Sequence, residues 1–337
     1  MHTKSLKAYF PLLFLICCLY LPVSAQPVKV IFDTDMESDV DDVGALAMLH
    51  SLADLGEAEI LAVMLSSLNP WSAPTVDVVN TWFGRPDIPI GNVKTKGVYR
   101  NSGYARPLTA QFPHDLELGE NAENAVGLYR KILASQPDQS VVIITVGYLT
   151  NLSKLIQSTP DQHSELDGTE LVAKKVKLYV CMGGRYPAQL EPGKWGNLMP
   201  DPEATQYVAN HWPGDILFTG GGDFSWTIPT GQQLMNQGNE EDPVFVAYKT
   251  FYENSGWSKG PTHHSADLIA VYVGVRGYEP HFVKKSQGYN HIFEDGTMVW
   301  RQSPNRTNHA YVSEWDENAE PQVVIQIFDD LMIKQKR

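Results

Sequence analysis

Five aspartates and one glutamate fall within ten consecutive positions: Asp33, Asp35, Glu37, Asp39, Asp41 and Asp42, with no lysine or arginine among them. Carboxylates crowded this closely repel one another unless a cation neutralises them. Oxygen donors without histidine or cysteine favour a hard ion, Ca2+ or Mg2+, over zinc. Residues 28–32 form a short apolar, β-branched run expected to be a buried strand, and 43–49 are rich in helix formers. The acidic stretch therefore occupies a strand-to-helix turn, at the sheet edge where α/β folds bind ligands. Capping the positive end of the helix accounts for one or two of these groups, Asp41 or Asp42, but not for all.

The rest of the chain repeats the strand–helix alternation. Strand-like runs at 59–65, 88–91, 140–146, 176–182 and 216–219 alternate with helical segments at 73–83, 121–135, 151–157 and 201–210, and a further helix begins near Ala266. Residues 99–120, rich in proline and aromatics, read as an irregular insertion over the site. Beyond residue 281 strands and turns are expected, then a terminal helix over 322–333. The fold class is α/β, a single doubly wound, mostly parallel sheet flanked by helices. Each polar segment follows the end of an expected strand, so residues 33–42, 66–69, 148–151, 183–197 and 220–223 should converge on one edge.

Residues 1–25 read as a signal peptide. Lys4 and Lys7 precede an apolar run at 8–21, and Val23-Ser24-Ala25 offers a small-residue cleavage site. A mature domain over 26–337, exported to a periplasm or secreted, is the expectation, with no membrane attachment after cleavage near Ala25. Loss of the two lysines would leave 24 basic residues against 39 acidic ones, a net charge near −15. With no basic stripe, this balance excludes nucleic acid and anionic membranes as partners. Cys181 would be the only remaining cysteine, and in its apolar run it reads as a packing residue. Asn151-Leu152-Ser153 and Asn305-Arg306-Thr307 are glycosylation sequons.

Four motifs in order carry a family resemblance. Asp33-Thr34-Asp35 followed by Asp41-Asp42 resembles the signature of the inosine–uridine-preferring nucleoside hydrolases, D-x-D-P-G-x-D-D, with two extra residues between the pairs. Leu149-Thr150-Asn151 resembles the family's G-x-L-T-N segment. Met182-Gly183-Gly184, Asn197 and Asp201-Pro202-Glu203-Ala204 resemble its M-G-G…N-x-x-x-D-P-E-A stretch, and Asp267 its late H-D aspartate. The resemblance implies a Rossmann-like fold and a calcium site formed by Asp35, Asp42, the carbonyl of Thr150, and Asp267. It implies Asp35 as the general base on a calcium-activated water. Asp41, Asn69 and Asn197 would contact ribose hydroxyls, with Met182 beside them. On their residue types alone, Asn69 also suits a turn before Pro70, and Asp267 a helix N-cap.

Two positions depart from the family pattern. Ala266 stands where the family has a histidine that protonates the leaving base; His263 and His264 are nearby substitutes, or exposed loop histidines. Trp195 stands where a glutamate holds the 5′-hydroxyl, offering a stacking surface to which Trp71, Tyr186, Trp226 and Trp257 could add. The implied partner is a small-molecule nucleoside or pentofuranoside with a different base or a modified 5′ position, and a homo-oligomer is compatible with the sequence. The alternative on the same fold is a non-catalytic, calcium-dependent sugar- or nucleoside-binding protein. A phosphatase that uses Asp33 as nucleophile is a third reading of D-x-D.

Overall fold

The first strand owes its place to a run buried on both faces, as the middle of a parallel sheet requires. Along β1 (Val28–Thr34), Val30 and Phe32 pack into one core while Ile31 packs into a second on the opposite face. A computed structural model describes residues 26–186, 193 and 196–334. The expected signal segment, 1–25, and Trp195 lie outside the described residues.

The chain continues through α1 (Asp41–Asp54), β2 (Ala58–Leu65), α2 (Ser72–Trp82), β3 (Ile90–Asn92), α3 (Ala105–Gln111), β4 (Glu123–Asn124), α4 (Ala125–Ser135), β5 (Val141–Thr145), α5 (Thr150–Ile156) and α6 (Gly168–Lys175). There follow β6 (Val176–Met182), α7 (Pro202–His211), β7 (Ile216–Thr219), α8 (Gln232–Gln237), α9 (Pro243–Asn254), α10 (Ala266–Arg276), β8 (Phe282–Ile292), β9 (Met298–Gln302), β10 (His309–Trp315) and α11 (Pro321–Met332). These strands form one ten-stranded sheet in the order β4-β3-β2-β1-β5-β6-β7-β10-β8-β9. Strands β1 to β7 and β10 run parallel, while β8 is antiparallel to both β10 and β9. From β1 the chain winds outward to β4, then returns to place β5 on the other flank of β1. The winding reverses between β1 and β5, which opens a crevice at their C-terminal ends.

Four expectations needed correction. The insertion at 99–120 is partly regular, because Ala105 and Leu108 bury one side of α3 against α2 and α9. The helix expected from 121 begins at Ala125, since Asn124 caps it by accepting from Gly127 N (3.0 Å). The third strand is shifted to Ile90–Asn92. Helices α6, α8 and α9 were not anticipated, although Asp167 and Glu170 form a capping box for α6 and Asp242 caps α9 ahead of Pro243.

Candidate active site

Three elements deliver the acidic groups to one place. Asp35 follows the last residue of β1, Asp41 and Asp42 fill the first turn of α1, and Asp267 lies in the first turn of α10. The two helices pack side by side with their N-termini at the crevice, so their dipoles favour the carboxylates there. Asp267 is the second residue of α10, which excludes the helix N-cap role; its backbone N–H instead donates to Asp41 Oδ2 (3.1 Å). Asp42 is fixed by the hydroxyl of Thr34 and by Met36 N (3.3 Å). Glu37 N donates to Asp35 Oδ1 (3.1 Å). Across the crevice, Gly147 lets the turn after β5 close onto the end of β1. A Cβ there would meet Ser66 Oγ at 2.5 Å and the Asp35 backbone nitrogen at 2.7 Å.

These groups face a cavity of about 210 Å3. Asp35, Asp41, Asp42 and Asp267 form its acidic floor, and carboxylate oxygens of Asp41, Asp42 and Asp267 lie within 4.8 Å of one another. Burial, then Asp42 and Glu37, push the Asp35 carboxyl well above its usual range. Burial and Asp41 push Asp42 up to about 8, and burial with Asp41 and Asp42 raises Asp267. The floor is thus short of positive charge. One buried oxygen, Asp267 Oδ1, has no hydrogen-bond partner among the described residues. A cluster of hard carboxylate oxygens, one of them orphaned, fits a divalent hard cation.

Met182 and Asn197 form the opposite wall with Val146 and the Gly183-Gly184 turn. Asn197 Nδ2 donates to Val146 O (2.5 Å), which holds this wall against β5. Thr150 does not line the cavity. As the first residue of α5, it donates its hydroxyl to Asp201 Oδ2 (2.5 Å).

Asn69 also stays outside the cavity wall. Its Oδ1 accepts from Trp71 N (3.0 Å) in a turn, and its Nδ2 donates to Arg100 O (2.9 Å). Asp33 points into the opposite core, where it accepts from Tyr129 Oη (2.9 Å) and Asn151 Nδ2 (3.1 Å); burial raises it to about 7. That placement eliminates Asp33 as a nucleophile, and the wholly buried Asn151 is unavailable for glycosylation.

The reading of His263 and His264 as exposed loop residues is overturned. Asp39 sits between them, accepting from His263 Nε2 at 2.5 Å and His264 Nε2 at 3.0 Å, and His263 is wholly buried. Burial raises the Asp39 carboxyl, but the two histidines outweigh it and hold it below the usual range. His264 reaches the cavity, with Nδ1 3.4 Å from Asp41 Oδ2. Burial would lower its pKa, yet Asp41 and Asp39 raise it to about 10, so the ring is protonated near neutrality. Trp226 and Trp257, both exposed, pack around these rings. Of the other aromatics considered, Tyr186 stacks on Tyr311 in the second core and Trp71 packs beside Arg106.

Sequence reading missed Arg100, Tyr148 and the roles of Glu37 and Asp39. Glu37 is buried, accepting from Tyr148 Oη (2.5 Å), Arg100 N (2.7 Å) and the Ser67 hydroxyl. Its place among the aspartates was the available signal; nothing in the sequence marked Arg100.

The profile of the inosine-uridine preferring nucleoside hydrolase family matches residues 30–331. An uncharacterized protein of Schizosaccharomyces pombe is 27% identical over 197 residues, which is 54% of this chain and 57% of that protein, so the match spans little more than half of the relative. Among solved structures, a plant nucleoside hydrolase superposes with a TM-score of 0.65 at 19% identity, over 91% of this chain and 99% of its own. An inosine-guanosine nucleoside hydrolase gives a TM-score of 0.67 at 18% identity, over 90% and 98%. At these identities the superpositions establish a shared fold.

Proposed function

The chain belongs to the inosine-uridine preferring nucleoside hydrolase family, a family of N-glycosyl hydrolases, and from that premise we propose that it cleaves the N-glycosidic bond of a ribonucleoside or related pentofuranoside with Ca2+ as cofactor. The observation that carries the reading is the carboxylate floor, in which helices α1 and α10 bring Asp41, Asp42 and Asp267 together around an unpartnered oxygen. Asp35, Asp42 and Asp267, all lining the cavity, would hold the ion; the Thr150 carbonyl, which the family resemblance implies as a fourth ligand, stands outside that lining. When bound, the cation neutralises these carboxylates and makes water at the site more acidic.

Asp35, only 7% exposed, takes the proton from the attacking water as general base. Water adds at C1′ as the C–N bond breaks, and the electron pair leaves with the base. The surrounding carboxylates stabilise the positive charge that develops on the sugar. Asp41 and Asn197, which line the cavity, would accept and donate hydrogen bonds with the sugar hydroxyls, and Met182 would supply apolar contact. Ala266 has no proton to offer the leaving group. The protonated His264 ring reaches the cavity from a different backbone position, with Asp39 and the buried His263 behind it.

Sugar release from a panel of ribonucleosides, with and without a calcium chelator, tests the proposal. Asp35→Ala should lower kcat by roughly 10²–10⁴-fold, the usual contribution of a general base. Turnover like the wild type in that variant would sink the mechanism. Calcium-dependent ribose binding without any hydrolysis would favour the non-catalytic reading, for which Ala266 is the supporting feature. We also propose a single hydrolase domain over 26–337, exported after cleavage near Ala25. The mass of the secreted product would check this. No helix among the described residues is long and apolar enough to cross a membrane.

A further inference from the structure

Arg100 brings a positive charge to the wall of a cavity whose floor is acidic, and the hydrolytic reading leaves it without a task. Its guanidinium has no hydrogen-bond or ion-pair partner among the described residues, although Asp35 and Glu37 are close enough for its charge to lower both. The backbone that carries it is firmly held. Glu37 Oε1 accepts from its N–H (2.7 Å), Asn69 donates to its carbonyl (2.9 Å), and Leu68 N donates to Val98 O (2.7 Å). Glu37 and Asn69 are both buried, so two interior polar side chains help to locate this residue. A planar donor fork held at a cavity wall, near carboxylates but not bound to them, suits an incoming oxyanion.

Building on the proposed hydrolysis, we infer that Arg100 recognises an anionic group on the substrate, so that the preferred ribosides carry a phosphate or a carboxylate. The cation offsets the acidic floor, and Arg100 is left to pair with the ligand's charge. A sugar phosphate and a carboxylated base share this chemistry.

The test compares uridine, uridine 5′-monophosphate and 5-carboxyuridine, in calcium, as substrates and as ligands by calorimetry. Wild type should favour one anionic probe over uridine by at least about tenfold in kcat/KM, the effect of one charge-assisted hydrogen bond. Which probe wins says whether the anion lies on the sugar or on the base. Arg100→Gln should abolish the preference, and Arg100→Lys should recover only part of it, because an ammonium cannot make the two-pronged contact. Uridine handled as well as both anions, an unchanged preference in Arg100→Gln, or full recovery in Arg100→Lys would overturn the inference while leaving hydrolysis intact. If no riboside is hydrolysed, the hydrolytic reading fails and the calorimetry decides this one. An anion preference in binding that Arg100→Gln removes supports it, and equal binding of all three probes refutes it.

Discussion

Replacing Asp267 with asparagine separates a cation ligand from a merely structural aspartate. The side chain is buried, one of its oxygens has no partner, and it lies within 4.8 Å of carboxylate oxygens on Asp41 and Asp42. Two ionised carboxylates at that separation repel by ~3.5 kcal/mol at an effective dielectric of about 20. Asp267→Asn keeps the shape and removes two of the three repulsive pairs. Protonation already relieves much of that repulsion, as the raised Asp42 and Asp267 carboxyls indicate. The metal-free variant should therefore be more stable than wild type by ~1–3 kcal/mol. Calcium at about a thousandfold excess over its Kd stabilises a native-state site by ~4 kcal/mol, and the variant should lose most of that gain. Urea unfolding of both proteins, in chelator and in calcium, reads both effects. A variant less stable in chelator, or one that gains as much from calcium as wild type, would refute the assignment of Asp267 as a ligand.

Gly147→Ala would place a Cβ within 2.5–2.8 Å of Ser66 Oγ, Asp35 N and Thr34 C. Overpacking of this kind costs ~1–3 kcal/mol, and displacement of the Asp35 backbone should also weaken calcium binding; an unchanged melting temperature and calcium titration would count against that close approach. In chelator, stability should fall as the pH rises from about 4 to about 8. Asp33 and Asp42 are pushed up to about 7 and about 8 in the folded protein, which therefore binds more protons than the unfolded chain across this window. Calcium should remove the Asp42 share of the slope and leave that of Asp33. Urea midpoints that stay flat or rise with pH in chelator would contradict the electrostatics described here.

Much of this architecture follows from local sequence. The continuous β-branched run at 141–145 and the alternation of strands with helices fix a parallel sheet, because strands buried on both faces need no polar alternation. The turn from Asp33 to Asp42 is legible for the same reason, since strand, acidic turn and helix are contiguous. What the sequence could not supply is direction and distance. Asp33 and Asp35 are two residues apart, yet the first serves a buried hydrogen-bond network beneath the sheet and the second faces the crevice, because the strand ends between them. His263 and His264 lie more than two hundred positions from Asp39 and meet it only because α1 and α10 pack side by side. Asn69 tethers Arg100, a contact that its position before Pro70 did not reveal. Residue types and spacing determined which chemistry this chain can carry. Packing between distant elements decided which groups face the cavity, since hydrogen-bond satisfaction in a buried site depends on neighbours that local sequence does not specify.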